Sequence, residues 1–344
     1  MKFALIPWSQ SELGDHIFYK DGTERKMPTE SAAYLMSHHL EQLGHEIHTM
    51  DLYEDRLQEV DFFLFYVLDW RWVRRLTRAG LAGRMVYCNA EPPTVNSLNT
   101  PKGYELLGQI FPYILTWNPE WIDNRRIFKR NIPYYFDFHR CDIPFEERKL
   151  VTAISANKNS DYKDELYTER NRAYEFFESH HPEEFDFYGV LWSGKGHPCY
   201  KGTVSNKADT FHRYRFAICY ENTRTNQDYI TEKIWDCLHA QIVPIYAGAR
   251  NITDYIPKEC FIDFYEFGSY EKLYQFIHDM KESEYREYLD AAERLLRNEE
   301  VKRIFSGERY GELILEAVEH PVEFEPTRKG KLYTAWRALR NKGL

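Results

Sequence analysis

Residues 216–249 read FAICYENTRTNQDYITEKIWDCLHAQIVPIYAGA. Apolar Phe216 to Tyr220 form a strand, the next polar residues a loop, Thr231 to His239 a helix, and Ile242 to Tyr246 a second strand before a turn. Thr231 is placed to cap a helix whose first turn holds Glu232 and Lys233. A helix start offers unpaired N–H groups and the positive end of a dipole, which together suit an anion. Lys233 is unfavourable beside that dipole, and a phosphate at the helix start removes the conflict. A solvent-facing Glu–Lys pair on an ordinary helix is the alternative reading of the same spacing.

The same alternation extends in both directions. Towards the N-terminus, Lys2–Pro7, Glu46–Met50, Phe62–Leu68 and Arg84–Asn89 read as strands. Ser31–Leu43 reads as a helix with Ala32, Met36, Leu40 and Leu43 on one face, stopped by Gly44. A charged, proline-containing stretch, YYFDFHRCDIPFEERK, then breaks the pattern. A second series follows: strand from Leu150, helix Asp164–Ser179, strand Phe185–Tyr188, the opening segment, and three helices to Val318. The first of those helices places Leu273, Phe276, Ile277 and Met280 at core spacing. Strands alternating with helices imply parallel sheets covered on both faces. The expected domains are 1–140, a linker at 141–149, a second domain at 150–318, and a tail at 319–344. Two doubly wound units of this kind place a ligand in the cleft at the carboxyl ends of their strands.

Composition removes several alternatives. The 344 residues include 45 Lys+Arg and 54 Asp+Glu, a net charge of −9 that argues against nucleic acid as a partner. The longest apolar run, Phe62 to Leu68, is far short of the roughly 20 residues that span a bilayer. The opening MKFALIPWSQSELGD turns polar at once, unlike the apolar core of a signal peptide. Six cysteines without a Cys-x-x-Cys pair suggest a reducing, cytoplasmic setting with neither a disulfide framework nor a zinc site. His38, His39, His45 and His48 are close in sequence but lack a ligating spacing, so no metal is assigned to them. Ser193–Pro198, SGKGHP, lacks the Walker spacing and reads as a surface or acceptor-side loop. From Thr327 to Leu344 there are six basic residues and no acidic one, with Leu332, Tyr333, Trp336 and Leu339 expected on one helical face. That pattern suits an anionic membrane surface, and a helix docked on the protein's own acidic surface is the alternative.

The ordered elements Y-E-N, D-Y-I-T-E-K and V-P-I-Y-A-G resemble the signature of the α1,3/α1,4-fucosyltransferases, glycosyltransferase family ten. Tyr188-Gly-x-x-Trp192, N-I-x-D-Y-I-P at 251–257 and F-I-D at 261–263 extend the resemblance over roughly Leu150 to Tyr288. The resemblance implies a GT-B fold, α/β, of two Rossmann-like doubly wound domains facing a cleft. It implies GDP-fucose as donor, inversion at the anomeric carbon, and no required cofactor, a divalent metal being at most stimulatory. The absence of any Asp-x-Asp sequence agrees with this. By motif position, Asn222, Tyr229, Glu232 and Lys233 would line the donor site. Arg170, in TERNRAY, would grip the diphosphate bidentately, with Arg172 as the other candidate. The loop before Tyr229 is one residue longer than the family spacing.

An inverting transfer needs a general base at the acceptor hydroxyl. Glu91 follows the strand Arg84–Asn89 in NAEPP, and the family's base is a Glu in a Glu-Ser-Pro-like element at a corresponding place. Here Pro92 replaces the Ser, and the two prolines fix the backbone after the carboxylate. Trp8, Trp70, Trp72, Trp117 and Trp121 include candidates for stacking an acceptor sugar, although each taken singly is better read as core. The expected activity is transfer of L-fucose to O3 of a GlcNAc or glucose unit on an oligosaccharide or glycolipid, building a surface glycan at the inner face of the cytoplasmic membrane. A GT-B transferase using another nucleotide sugar and a catalytically silent sugar-binding protein are the alternatives.

Overall fold

Six short parallel strands form the first sheet: β1 (Lys2–Ile6), β2 (Glu46–Thr49), β3 (Phe62–Phe65), β4 (Met85–Cys88), β5 (Tyr113–Thr116) and β6 (Ile127–Lys129). Their order is β2-β1-β3-β4-β5-β6. The structure is a computed structural model that describes every residue except 19–27, 137–140, 194–195, 226, 320 and 341–344. Successive side chains of β1 point to opposite faces, as strand geometry requires. Phe3 and Leu5 pack with Met36 and Leu40 of α1 (Pro28–Gln42), whereas Ala4 and Ile6 pack with Trp70, Val73 and Leu76 of α2 (Trp70–Arg78). α3 (Pro101–Leu107) joins the second of these faces through Tyr104 and Leu107. β5 and β6 and helices α2 and α3 escaped the sequence reading.

The second sheet is also parallel throughout, in the order β11-β10-β9-β7-β8. Its strands are β7 (Lys149–Ile154), β8 (Phe185–Tyr188), β9 (Tyr214–Tyr220), β10 (Val243–Ala247) and β11 (Ile262–Asp263). α4 (Tyr167–His180) and α7 (Tyr270–Asp279) cover one face through Ala173, Tyr174, Phe177, Leu273 and Ile277. α5 (Lys207–Phe211) and α6 (Glu232–His239) lie against β9. α8 (Glu282–Leu296) and α9 (Glu299–Ile304) complete this unit.

α10 (Gly307–Val318) and α11 (Arg328–Arg340) return to the first unit. The compact units are Met1–Tyr135 with Phe305–Leu344, and Phe136–Ile304. The expected second domain of 150–318 therefore overran at its end, because Tyr310, Leu313, Ile314 and Ala317 bury against α1 and the first sheet. The expected linker at 141–149 includes the first residue of β7 and the buried Arg148, whose guanidinium donates to the Ile143 and Gln241 carbonyls. Part of the surrounding charged stretch, and part of SGKGHP, lies outside the described residues.

Five side chains expected on apolar faces are exposed. Leu43 falls beyond the end of α1, and Phe276 projects from α7 at 42% exposure. In α11 the face divides: Tyr333 packs edge-on to Trp70, while Leu332, Trp336 and Leu339 remain exposed. Among the described residues, no helix is long and apolar enough to cross a membrane.

Candidate active site

β7 pairs with β8 on one side and β9 on the other, so the winding of the second sheet reverses between β7 and β9. Ligands of doubly wound sheets sit beyond the carboxyl ends of the strands at such a reversal. A small pocket there is lined by Ser155 after β7, Tyr220 at the end of β9, Arg170 of α4, Lys207 of α5, and Lys233 and Asp236 of α6. Three cationic side chains from three helices thus converge on one place.

Thr231 caps α6 as expected, its hydroxyl oxygen accepting from the Lys233 N–H at 3.4 Å. The anion at the helix start is a protein group. Glu221, with no solvent exposure, accepts from the Thr231 N–H at 2.9 Å and from its hydroxyl at 2.8 Å. The Lys233 ammonium lies 3.3 Å from Glu221 and 3.6 Å from Glu232. The conflict between Lys233 and the helix dipole is therefore relieved by two carboxylates without any phosphate. Burial raises the Glu221 carboxyl above the ordinary carboxylate range, with Lys233 opposing that rise. Burial also acts to raise Glu232, but Lys233 and Lys207 outweigh it and hold this carboxyl at about 2. Lys233 stays protonated: burial opposes its charge, and Glu221 and Glu232 more than compensate.

The other motifs hold this junction in shape. Asp228 has φ of +62°, a conformation uncommon for a residue with a side chain. It is fixed by Asn251, whose side-chain amide oxygen accepts from the Asp228 N–H at 2.9 Å, and by the Tyr255 hydroxyl, which donates to its carboxylate at 2.7 Å. N-I-T-D-Y-I-P thus positions D-Y-I-T-E-K. Gly248 is required by proximity, since a Cβ there would stand 2.3 Å from the Tyr246 hydroxyl and 2.7 Å from Cγ of Glu221. In Tyr-Gly-x-x-Trp, Gly189 has φ of +141° and a Cβ would fall 1.8 Å from the Ser155 carbonyl oxygen. The Trp192 indole donates to that same oxygen at 2.7 Å. These contacts set the end of β7, where the pocket begins.

Of the expected donor residues, Arg170 and Lys233 line the pocket, and Asn222, Tyr229 and Glu232 occupy the adjoining loop and helix start. Asn222 lies 3.5 Å from the hydroxyl of the buried Tyr229. Residue 226 of that loop is outside the described residues. The two arginine candidates separate clearly. Arg170 is 4% exposed and its Nε has no hydrogen-bond partner among the described residues, whereas Arg172 is exposed and pairs with Glu169 on its own helix. Lys207 and Glu221 were missed from sequence. Lys207 donates to Asp236 at 2.6 Å, and burial, which opposes its charge, is outweighed by Asp236 and Glu232.

In the first unit, Glu91 follows β4 at the carboxyl edge of the sheet. Its N–H donates to the buried Asn89 side chain at 3.0 Å, and its carbonyl accepts from the buried Asn99 amide at 2.7 Å. Asn99 also donates to Asn89 at 2.9 Å, and Asn89 to the Tyr104 hydroxyl at 2.6 Å. A buried amide network therefore fixes the Glu91 backbone, in addition to the prolines expected to do so. Trp70 and Trp117 are core, while Trp8, Trp72 and Trp121 are half-buried. His48 pairs with Asp15 and His38 approaches Gln42. Among the described residues, no group of three or more His, Cys, Asp and Glu side chains is arranged to hold a metal.

Residues 146–306 match the family model for glycosyltransferase family 10 (fucosyltransferase), C-terminal. The rat α-(1,3)-fucosyltransferase 7 is 38% identical over 89 residues, 25% of this chain and 24% of that protein. Human GDP-fucose protein O-fucosyltransferase 3 is 34% identical over 117 residues, 33% of this chain and 22% of that protein. The matched stretches thus span less than a quarter of those relatives' own length. A crystal structure of an α1,3-fucosyltransferase with GDP superposes with a TM-score of 0.59 at 14% identity, covering 95% of this chain and 92% of that one. That likeness establishes the GT-B fold, and residues 146–306 carry the similarity to glycosyltransferase family 10, the fucosyltransferases.

Proposed function

We propose that the protein transfers L-fucose from GDP-fucose to a glycan hydroxyl with inversion, without a required metal. The observation that carries this reading is the convergence of Arg170, Lys207 and Lys233 on one pocket at the winding reversal of the family-matched unit. Oriented cations of this kind stabilise the charge that develops on a departing diphosphate. In the proposed reaction, Glu91 takes the proton of the acceptor hydroxyl. The acceptor oxygen forms the new bond to C1 of fucose as the bond from C1 to the phosphate oxygen breaks, and GDP leaves with that electron pair. The proposed acceptor is O3 of a GlcNAc or glucose unit on an oligosaccharide or glycolipid of the cell surface. Exposed Leu332, Trp336 and Leu339 among basic residues support peripheral attachment to an anionic membrane, which we place at the cytoplasmic face.

The test is incubation with GDP-fucose and lactosamine-type acceptors, with and without EDTA, reading product mass and linkage, alongside titration with GDP. A fucosylated product with α1,3 linkage, formed equally with EDTA present, is the expected result. GDP binding without turnover on any acceptor would favour the silent binding protein. Turnover with a different nucleotide sugar alone would favour the other transferase.

A further inference from the structure

The first sheet repeats the winding of the second. β1 pairs with β2 on one side and β3 on the other, so its reversal lies between β1 and β3. A cavity of about 560 Å³ opens there, walled by residues following β1 (Trp8), β2 (Asp51) and β3 (Asp69), with Trp72 and Arg75 of α2 and nearby Glu54. This volume falls within the ordinary range for small-ligand sites.

The lining chemistry narrows the occupant. Asp69 caps α2 and holds the Arg71 guanidinium at 2.8 Å, and Arg75 donates to Glu54 at 2.7 Å while lying 4.7 Å over the Trp72 ring. Both guanidiniums are thereby matched with carboxylates. Asp51 is different. One of its oxygens accepts from the Gly14 N–H at 3.0 Å, but the other is buried without a hydrogen-bond partner among the described residues. A buried carboxylate oxygen in that condition calls for a donor from a ligand. The lining carries one more acid than base, which disfavours a phosphate or an acidic sugar, and its ionised walls disfavour an apolar guest. An uncharged sugar unit meets both needs, because its hydroxyls donate to carboxylates and its C–H face lies on indole.

We propose that this cavity binds a neutral hexose or hexosamine unit of the acceptor, with Asp51 excluding acidic sugars. The proposal rests on the fucosyl-transfer reading for its role, and binding itself is measurable without donor. Glu91 stands on the same carboxyl edge, after the strand next to β3. Saturation-transfer NMR of the full chain, without nucleotide, compares N-acetyllactosamine and other neutral oligosaccharides with their sialylated analogues. The expected result is signal from a neutral sugar and little from its acidic form. Asp51→Asn is expected to weaken neutral-sugar binding about tenfold and to relax the exclusion of the acidic form. Trp72→Ala gives an independent loss, and near-UV circular dichroism with GDP titration reports whether each variant is folded. Absence of any sugar signal from the parent protein, equal binding of acidic and neutral forms, or unchanged affinity in folded variants would overturn the proposal. A missing GDP heat would instead count against the donor reading alone.

Discussion

The Lys233 ammonium lies 3.3 Å from the Glu221 carboxylate, a side chain wholly removed from solvent. Removing one partner of a buried pair leaves the other charge uncompensated, which costs about 3–5 kcal/mol. Lys233→Ala should therefore lose folding stability of that order as well as activity. The double variant Lys233→Ala with Glu221→Gln should regain much of the stability but none of the turnover. Urea denaturation of the single and double variants, paired with GDP titration, separates the two effects.

Glu232 titrates at about 2 in the folded protein, below its ordinary 4.5. A carboxyl depressed by folding contributes stability at pH above its unfolded value and loses it as pH falls towards the folded one. Glu232→Gln should cost on the order of 2–3 kcal/mol at pH 7, and the difference from the parent should narrow steadily from pH 4.5 downwards. Denaturation curves at pH 7, 4.5 and 3.5 provide the check. A difference that stays constant would contradict the assigned charge pairing.

Gly189→Ala introduces a methyl 1.8 Å from the Ser155 carbonyl oxygen at a left-handed φ. Backbone atoms are on the other side of this contact, so relief requires β7 to move. A loss of about 3 kcal/mol or more is expected, measured as a lower urea midpoint, together with weaker GDP binding.

Asn99 joins the Asn89 side chain to the Glu91 carbonyl. Asn99→Ala should lower kcat about tenfold through a misplaced carboxylate while leaving the KM for GDP-fucose unchanged. Because a smaller folded fraction also lowers apparent kcat without moving KM, kcat is taken per GDP-binding site counted by titration, and a purely structural role would then leave it unchanged. Glu91→Gln should abolish turnover and leave GDP titration intact.

Leu332 and Leu339 are 63% and 68% exposed on α11, so replacing both with Asp should alter stability by no more than about 0.5 kcal/mol. Co-sedimentation with anionic vesicles should nevertheless fall sharply. Retention of vesicle binding would remove the membrane role from this helix face.

Much of the architecture was legible from local pattern. Apolar runs bounded by polar loops marked β1, β3, β4, β8 and β9, and Thr231 marked the start of α6. Among the strands missed, β6 and β11 are only three and two residues long, too short for a period to emerge, while β5 was missed at the same four-residue length as β3 and β4. Phe276 matched the core spacing of α7 but lies on its solvent side, because helical periodicity gives the width of a face and not its edge.

The sequence by itself determined the doubly wound pattern, the resemblance to the fucosyltransferases, and the residues Lys233, Arg170 and Glu91 as places to look. Only the tertiary structure decided that Arg170 rather than Arg172 enters the pocket, that Lys207 joins it, that Glu221 occupies the start of α6, and that residues 305–340 close the first unit. The reason is physical. Strand and helix propensities act over a few neighbouring residues, whereas a buried charge takes its partners from helices and strands far apart in the chain.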